Sequence, residues 1–225
     1  MNTSMPDDSI PDDVGWVVVI PAKPLATAKS RLADAAGNRR SELALAMLLD
    51  TVEATLRARN VTAVLVVTDD ATISAAASKL GAIAVPDVPD EGLNAAFRHG
   101  IEIAAAQYQG AGVALLAGDL PALQASQLQA ALAVVASSPG MVAVADHEGV
   151  GTTMLASRSA AQLRPAFGVG SFARHRDLGA AALQINNVDG LRCDVDDAAA
   201  LGAAIALGVG TRTSAAVKAD LRDPS

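Results

Sequence analysis

Two periods of hydrophobic and polar positions alternate along this chain. The runs Gly15-Trp16-Val17-Val18-Val19-Ile20, ended by Pro21, and VTAVLVV over residues 61–67 have no polar face, as strands buried on both sides do. Between them Leu45, Leu48, Leu49, Val52 and Leu56 recur at helical spacing, which predicts a long amphipathic helix over residues 39–59. The rhythm continues with a helix over 71–80, a short strand over 82–85 and a helix over 93–107. A strand over 113–117 (VALLA), a helix over 124–137 stopped by Pro139-Gly140, and a strand over 141–145 follow. Beyond Asp146 the pattern is less regular. A glycine-rich turn at 149–151 leads into a strand by Ala156, 167–175 reads as a loop, and helices are predicted near 174–183 and over 198–207.

Alternation of this kind predicts an α/β fold, a central, mostly parallel sheet with helices on both faces. With no repeat and no linker, residues 15–210 read as a single domain. Residues 1–14 read as a disordered acidic tail and 211–225 as a C-terminal tail.

Composition narrows the function. The chain of 225 residues is 51% hydrophobic but only 2% aromatic, so its core is built from Ala, Val, Leu and Ile. Seventeen Lys and Arg against 24 Asp and Glu give a net charge of −7, which argues against nucleic-acid binding. The single cysteine, Cys193, excludes a disulfide framework and a cysteine-rich zinc site. The acidic start is the reverse of a signal peptide, and the apolar run 198–210 is too short to span a bilayer. A cytoplasmic protein with no membrane contact is expected. Three Gly-Val-Gly triplets, at Gly149, Gly168 and Gly208, each lack the third glycine of a dinucleotide fingerprint. With three histidines, no phosphate loop and no hydrolase elbow, carboxylates and basic residues must carry the chemistry.

Four stretches offer that chemistry. The loop Pro21-Ala22-Lys23-Pro24-Leu25-Ala26-Thr27-Ala28-Lys29-Ser30-Arg31-Leu32 follows the first strand, where open α/β sheets bind ligands, and its Lys23, Lys29 and Arg31 suit a triphosphate. A solvated basic loop would look the same. Gly118-Asp119-Leu120-Pro121 places a carboxylate at the end of another strand, where it could hold a hard cation or simply start a turn. In Cys193-Asp194-Val195-Asp196-Asp197, extended backbone points Asp194 and Asp196 the same way, while Asp196 or Asp197 could cap the next helix. The pieces Gly149-Val150-Gly151-Thr152-Thr153 and Phe167-Gly168-Val169-Gly170-Ser171-Phe172-Ala173-Arg174-His175 could cradle a small anion, or be a hairpin turn and a helix N-cap. Thr68 and Asn94 sit on loops that could face a nucleotide base.

Taken together, Pro-x-Lys-(x)5-Lys-x-Arg-Leu after a strand, Gly-Asp-Leu-Pro, Phe-Gly-x-x-Ser-x-x-x-His and Leu-Arg-Cys-Asp-Val-Asp resemble one family. It is the 2-phospholactate/phosphoenolpyruvate guanylyltransferases of deazaflavin coenzyme biosynthesis, and the resemblance runs over residues 17–210. It implies a Rossmann-like nucleotidyltransferase fold and transfer of GMP from GTP to a small phosphorylated acid with release of pyrophosphate. By the same resemblance Asp119, Asp194 and Asp196 are magnesium ligands, for two ions, and Thr152, Gly168 and Ser171 hold the acid. Lys23, Lys29 and Arg31 bind the triphosphate, with Lys23, Lys29 and Asp119 acting in catalysis. Val150 replaces an expected threonine, and Val169-Gly170 an expected Pro-Asp. Phosphoenolpyruvate is the expected acid, with 2-phospho-L-lactate and 3-phosphoglycerate as alternatives. A cytidylyltransferase and a non-catalytic nucleotide-binding regulator are the competing readings. Hand-over of the product to a downstream transferase and a homodimer complete the expectations.

Overall fold

The computed structural model describes residues 15–26, 39–88 and 90–220. The chain runs β1 (Trp16–Pro21), α1 (Arg40–Leu56), β2 (Val61–Val67), α2 (Ala71–Leu80), β3 (Ile83–Val85), α3 (Leu93–Gln107), β4 (Gly112–Leu116) and α4 (Ala125–Ala136). Then come β5 (Val142–Ala145), β6 (Thr152–Ser157), a 3-10 turn (Ala160–Gln162), α5 (Ser171–Asp177), β7 (Ala181–Ala182), α6 (Asp189–Arg192), α7 (Ala198–Leu207) and α8 (Thr211–Asp220). The strands form one sheet in the order β3-β2-β1-β4-β6-β5-β7. β1 pairs in parallel with β2 and β4, and β2 with β3, as the apolar runs predict. β6 is the exception, running antiparallel to both β4 and β5. The turn joining β5 to β6 is too short for a parallel crossover, so the pair closes as a hairpin.

Alternation along β1 divides the core. Trp16, Val18 and Ile20 face α1 and α4, meeting Leu48, Val52, Leu128 and Val135. Val17 and Val19 face α3, meeting Ala96, Phe97 and Ala104. A third cluster of Leu43, Met47, Cys193, Val195 and Leu201 packs outside α1 and is joined by Val209, Ala216 and Val217.

Three features depart from the sequence reading. α5 begins at Ser171, inside the segment expected to be loop, and residues 181–182 are an edge strand, not the end of a helix. Gly179, at φ +95°, breaks the helix and turns the chain so that Ala181 N donates to Met141 O at 2.8 Å. Residues 211–220 form α8, docked on α1, where a tail was expected. Among the described residues no helix is long and apolar enough to cross a membrane.

Candidate active site

β1, β2, β4 and β5 share a direction, and the strand order reverses between β1 and β4, the crevice where open α/β sheets bind ligands. Because β6 is reversed, its first residue, Thr152, opens onto the same rim. Lys23, exposed, stands two residues beyond β1 on a pinned loop. Ala22 N donates to Val67 O at 2.9 Å, and Leu25 N to Asp70 Oδ2 at 2.9 Å. Arg40 Nη2 donates to Ala26 O at 2.9 Å. Asp70 also caps α2 by accepting from Thr72 N and Ile73 N; the Leu25 amide first, then these two, hold its carboxyl below the usual range. Thr68, buried at the end of β2, accepts from Asp70 N through its hydroxyl at 3.2 Å. Lys29 and Arg31 lie outside the described residues.

A carboxylate cluster gathers at the end of β4. Gly118 is required by close approach, since a Cβ there would stand 2.9 Å from Leu48 Cδ1 and 3.2 Å from Ile20 Cγ2. Next to it, Asp119 O accepts from Val195 N at 3.0 Å, which stitches the 193–196 strap onto the strand exit. Cys193 and Val195 are buried, so Asp194 and Asp196 alternate away from that apolar cluster. Capping of α7 falls to Asp197, whose Oδ1 accepts from Ala200 N at 2.9 Å.

Burial, reinforced by the charges of Asp119, Asp196 and Asp146, pushes the Asp194 carboxyl up to about 7. Asp146 was missed in the sequence, although it follows β5 as Asp119 follows β4. Its carboxylate accepts from Val150 N at 2.9 Å and Gly151 N at 2.6 Å and so builds the β5–β6 turn. Among the described residues no three His, Cys, Asp or Glu side chains stand close enough to enclose a metal ion by themselves.

Both glycine-rich pieces meet beside this cluster. Phe172 N donates to Val150 O at 3.1 Å, and Ser171 N donates to Gly168 O at 2.9 Å. Gly168 takes φ +122°, which a side chain would strain. Thr152 and Ser171 are buried, at 8% and 1% exposure. Thr152 Oγ1 lies 2.9 Å from His175 Nδ1, and Ala166 N donates to His175 Nε2 at 2.9 Å. Asn94 spends both ends of its amide on the loop: Phe167 N donates to its Oδ1 at 2.8 Å and its Nδ2 donates to Phe167 O at 3.1 Å. The Arg174 guanidinium is likewise bonded to the carbonyls of Ala166 and Val169. The structure thus brings Thr152, Gly168 and Ser171 together and groups Asp119, Asp194 and Asp196, while Thr68 bonds within its own turn and Asn94, expected on a loop, lies in the first turn of α3 and clamps the Phe167 loop.

His175 is fully buried, and that burial first, with the Arg174 charge second, pulls its imidazole down to about 4. The folded state refuses a proton that the unfolded chain accepts below about 6.5. This contribution is complete above that pH and is lost as pH falls to about 4. The loss amounts to about 3 kcal/mol. Urea unfolding of wild type and His175→Gln between pH 4 and 7.5 should show the two stability curves converging or crossing toward acid; parallel curves would mean a protonated imidazole in the fold.

The family described as "Guanylyl transferase CofC like" matches residues 16–220. A phosphoenolpyruvate guanylyltransferase of Thermomonospora curvata is 50% identical over 203 residues, covering 90% of this chain and 89% of that protein. One from Streptomyces coelicolor is 46% identical over 201 residues, covering 89% and 94%. Among solved structures, a nucleotidyl transferase from Methanothermobacter (Mth528) superposes with a TM-score of 0.62 at 18% identity, over 86% of this chain and 97% of the other. A CMP:2-keto-3-deoxy-manno-octonic acid synthetase complexed with CTP has a TM-score of 0.56 at 15% identity, over 86% and 98%. These two likenesses concern the fold, a nucleotidyltransferase fold of the Rossmann-like kind.

Proposed function

The chain belongs to the CofC-like guanylyl transferase family, and from that premise we propose that it transfers GMP from GTP to phosphoenolpyruvate, giving enolpyruvoyl-diphospho-guanosine for deazaflavin coenzyme biosynthesis. The observation that carries the reading is the meeting, on one rim of the sheet, of the carboxylates at β4 and the 193–196 strap with the group Thr152, Gly168 and Ser171. A phosphate oxygen of the acid forms a bond to the α-phosphorus of GTP, the bond from that phosphorus to the bridging oxygen breaks, and pyrophosphate leaves. The attacking oxygen is already anionic, so no general base is needed, which suits a site whose one buried histidine resists taking up a proton.

Thr152, Gly168 and Ser171 hold the acid, and Lys23 at the exit of β1 offsets triphosphate charge. Lys29 and Arg31 are assigned to the same triphosphate by sequence position. Asp119, Asp194 and Asp196 would hold Mg2+, two ions by family resemblance. The donor set fits. Asp194 sits among like charges that a cation would relieve, and carboxylate oxygens are the donors a hard cation prefers. Bound there, the metal supplies neutralisation of phosphate oxygens.

The test is magnesium-dependent pyrophosphate release from GTP with phosphoenolpyruvate, 2-phospho-L-lactate and 3-phosphoglycerate offered separately, CTP as control and the downstream transferase added to draw off product. Release with GTP and phosphoenolpyruvate is expected, and CTP should support little. Release with another acid alone would replace the substrate. GTP binding without release under any condition would favour a regulator.

A further inference from the structure

We propose that His175 is a positioning residue for Thr152: its Nδ1–H donates to the threonine oxygen, leaving the hydroxyl proton to be donated to the phosphorylated acid. The proposal rests on the reading that Thr152 holds that acid. Its evidence is the pair of bonds on the imidazole. Ala166 N–H can only donate, and it stands 2.9 Å from Nε2, so Nε2 is the acceptor. A neutral imidazole with an accepting Nε2 carries its proton on Nδ1. That nitrogen lies 2.9 Å from Thr152 Oγ1, so the ring donates and the hydroxyl accepts. The one hydrogen of the hydroxyl must then point elsewhere, and Thr152 is at the rim where β6 begins.

Everything around the ring keeps this arrangement in place. His175 is fully buried, Phe167 meets it edge-on at 4.9 Å between centroids, and Phe167 is itself stacked on Phe97 at 4.3 Å. Asn94 clamps the main chain of Phe167, immediately before Gly168. The imidazole therefore ties two parts of the acid pocket to each other: the β6 threonine and the loop that leads into Gly168. A threonine hydroxyl alone can rotate and donate to a nearby carbonyl; one that already receives a fixed N–H cannot satisfy that N–H and turn away. Burial, with the Arg174 charge second, acts in the same sense, since a ring kept neutral does not change its donor pattern across ordinary assay pH.

The test compares KM for the acid and for GTP in wild type, Thr152→Val, His175→Gln, His175→Asn and the double variant Thr152→Val/His175→Gln. Glutamine can reach toward Ala166 N as Nε2 does but withdraws the donor from Thr152; asparagine offers a donor near Nδ1. Thr152→Val should raise KM for the acid about tenfold or more, a hydrogen bond to a charged group being lost, with KM for GTP moving less than about twofold. His175→Gln should raise the same KM about fivefold, His175→Asn should recover most of it, and in the Thr152→Val background His175→Gln should add nothing. An unmoved KM in His175→Gln, or an equal rise in both backgrounds, overturns the proposal while the reading of Thr152 stands. An unmoved KM in Thr152→Val overturns that reading, and the proposal with it. Should the His175 variants fail to fold, 15N NMR of the wild-type imidazoles decides: the buried ring must be the Nδ1–H tautomer, and an Nε2–H ring overturns the proposal.

Discussion

Replacing Asp194 with asparagine should abolish guanylyl transfer and, at the same time, stabilise the protein. Asp194 lies on the strap that Val195 N ties to Asp119 O, and its carboxyl is pushed up to about 7 by burial and by Asp119, Asp196 and Asp146. The folded state keeps a proton there that the unfolded chain has already released. Wild-type stability is therefore lost progressively as pH rises from about 3.8, the ordinary value, to about 7, and the cost is complete above that. At pH 8 in the absence of divalent cations the asparagine variant should unfold at higher urea, by on the order of 2–4 kcal/mol. Its turnover should fall by about three orders of magnitude, since the charge that would hold metal against the phosphates is gone. Magnesium should narrow the stability gap, because it binds the wild-type fold and relieves the same repulsion. Retained turnover would remove Asp194 from the machinery. Equal stability at pH 8 would mean that neither burial nor the neighbouring carboxylates raise the Asp194 carboxyl in the fold.

The second large effect belongs to a residue outside the proposed substrate and metal groups, on the helix whose Thr51 hydroxyl accepts from Leu120 N at 3.0 Å. Asp50, on α1 and only 5% exposed, accepts from Arg212 N at 3.2 Å and Thr213 N at 2.8 Å, and its Oδ1 receives Arg212 Nη1 at 3.3 Å. It is thus an N-terminal cap for α8 supplied from another helix, and it meets the positive end of that helix. The same guanidinium binds Glu53. Asp50→Ala should leave these donors unmatched and cost about 3 kcal/mol. For a chain of this size that lowers Tm by about 6–12 °C. Asp50→Asn, which keeps one acceptor, should lose less than half as much. The strap is coupled to this anchor, because Ala216 and Val217 of α8 pack on the cluster containing Val195. Activity of Asp50→Ala should therefore require more magnesium than wild type at a temperature where both are folded. An unchanged Tm would show that α8 contributes nothing to the fold.

Much of the architecture could be read from local pattern. The continuous apolar runs became the buried parallel strands β1, β2 and β4, and the 3.6-residue spacing of Leu45, Leu48, Val52 and Leu56 became α1. The extended alternation of residues 193–196 correctly separates buried Cys193 and Val195 from Asp194 and Asp196. The reversal of β6 had a signal too, in the short glycine-rich turn after Asp146, since such a turn permits a hairpin and no crossover. For α8 the signal was weak: few apolar residues and no distinct apolar face, with docking dependent on a carboxylate more than 160 residues earlier.

Sequence alone determined the α/β class, the order of the elements as far as β5 and the placing of Asp119 after β4, because backbone period and burial are properties of neighbouring residues. It also carried the family resemblance, through the order and spacing of its motifs. Only the tertiary structure decided that Asp146 joins the field around Asp194, that Asn94 clamps Phe167, and that Ala166 sets the tautomer of the ring facing Thr152. Those pairings depend on how elements pack across the sheet, and a hydrogen bond between residues distant in the chain leaves no periodic trace in the order of its amino acids.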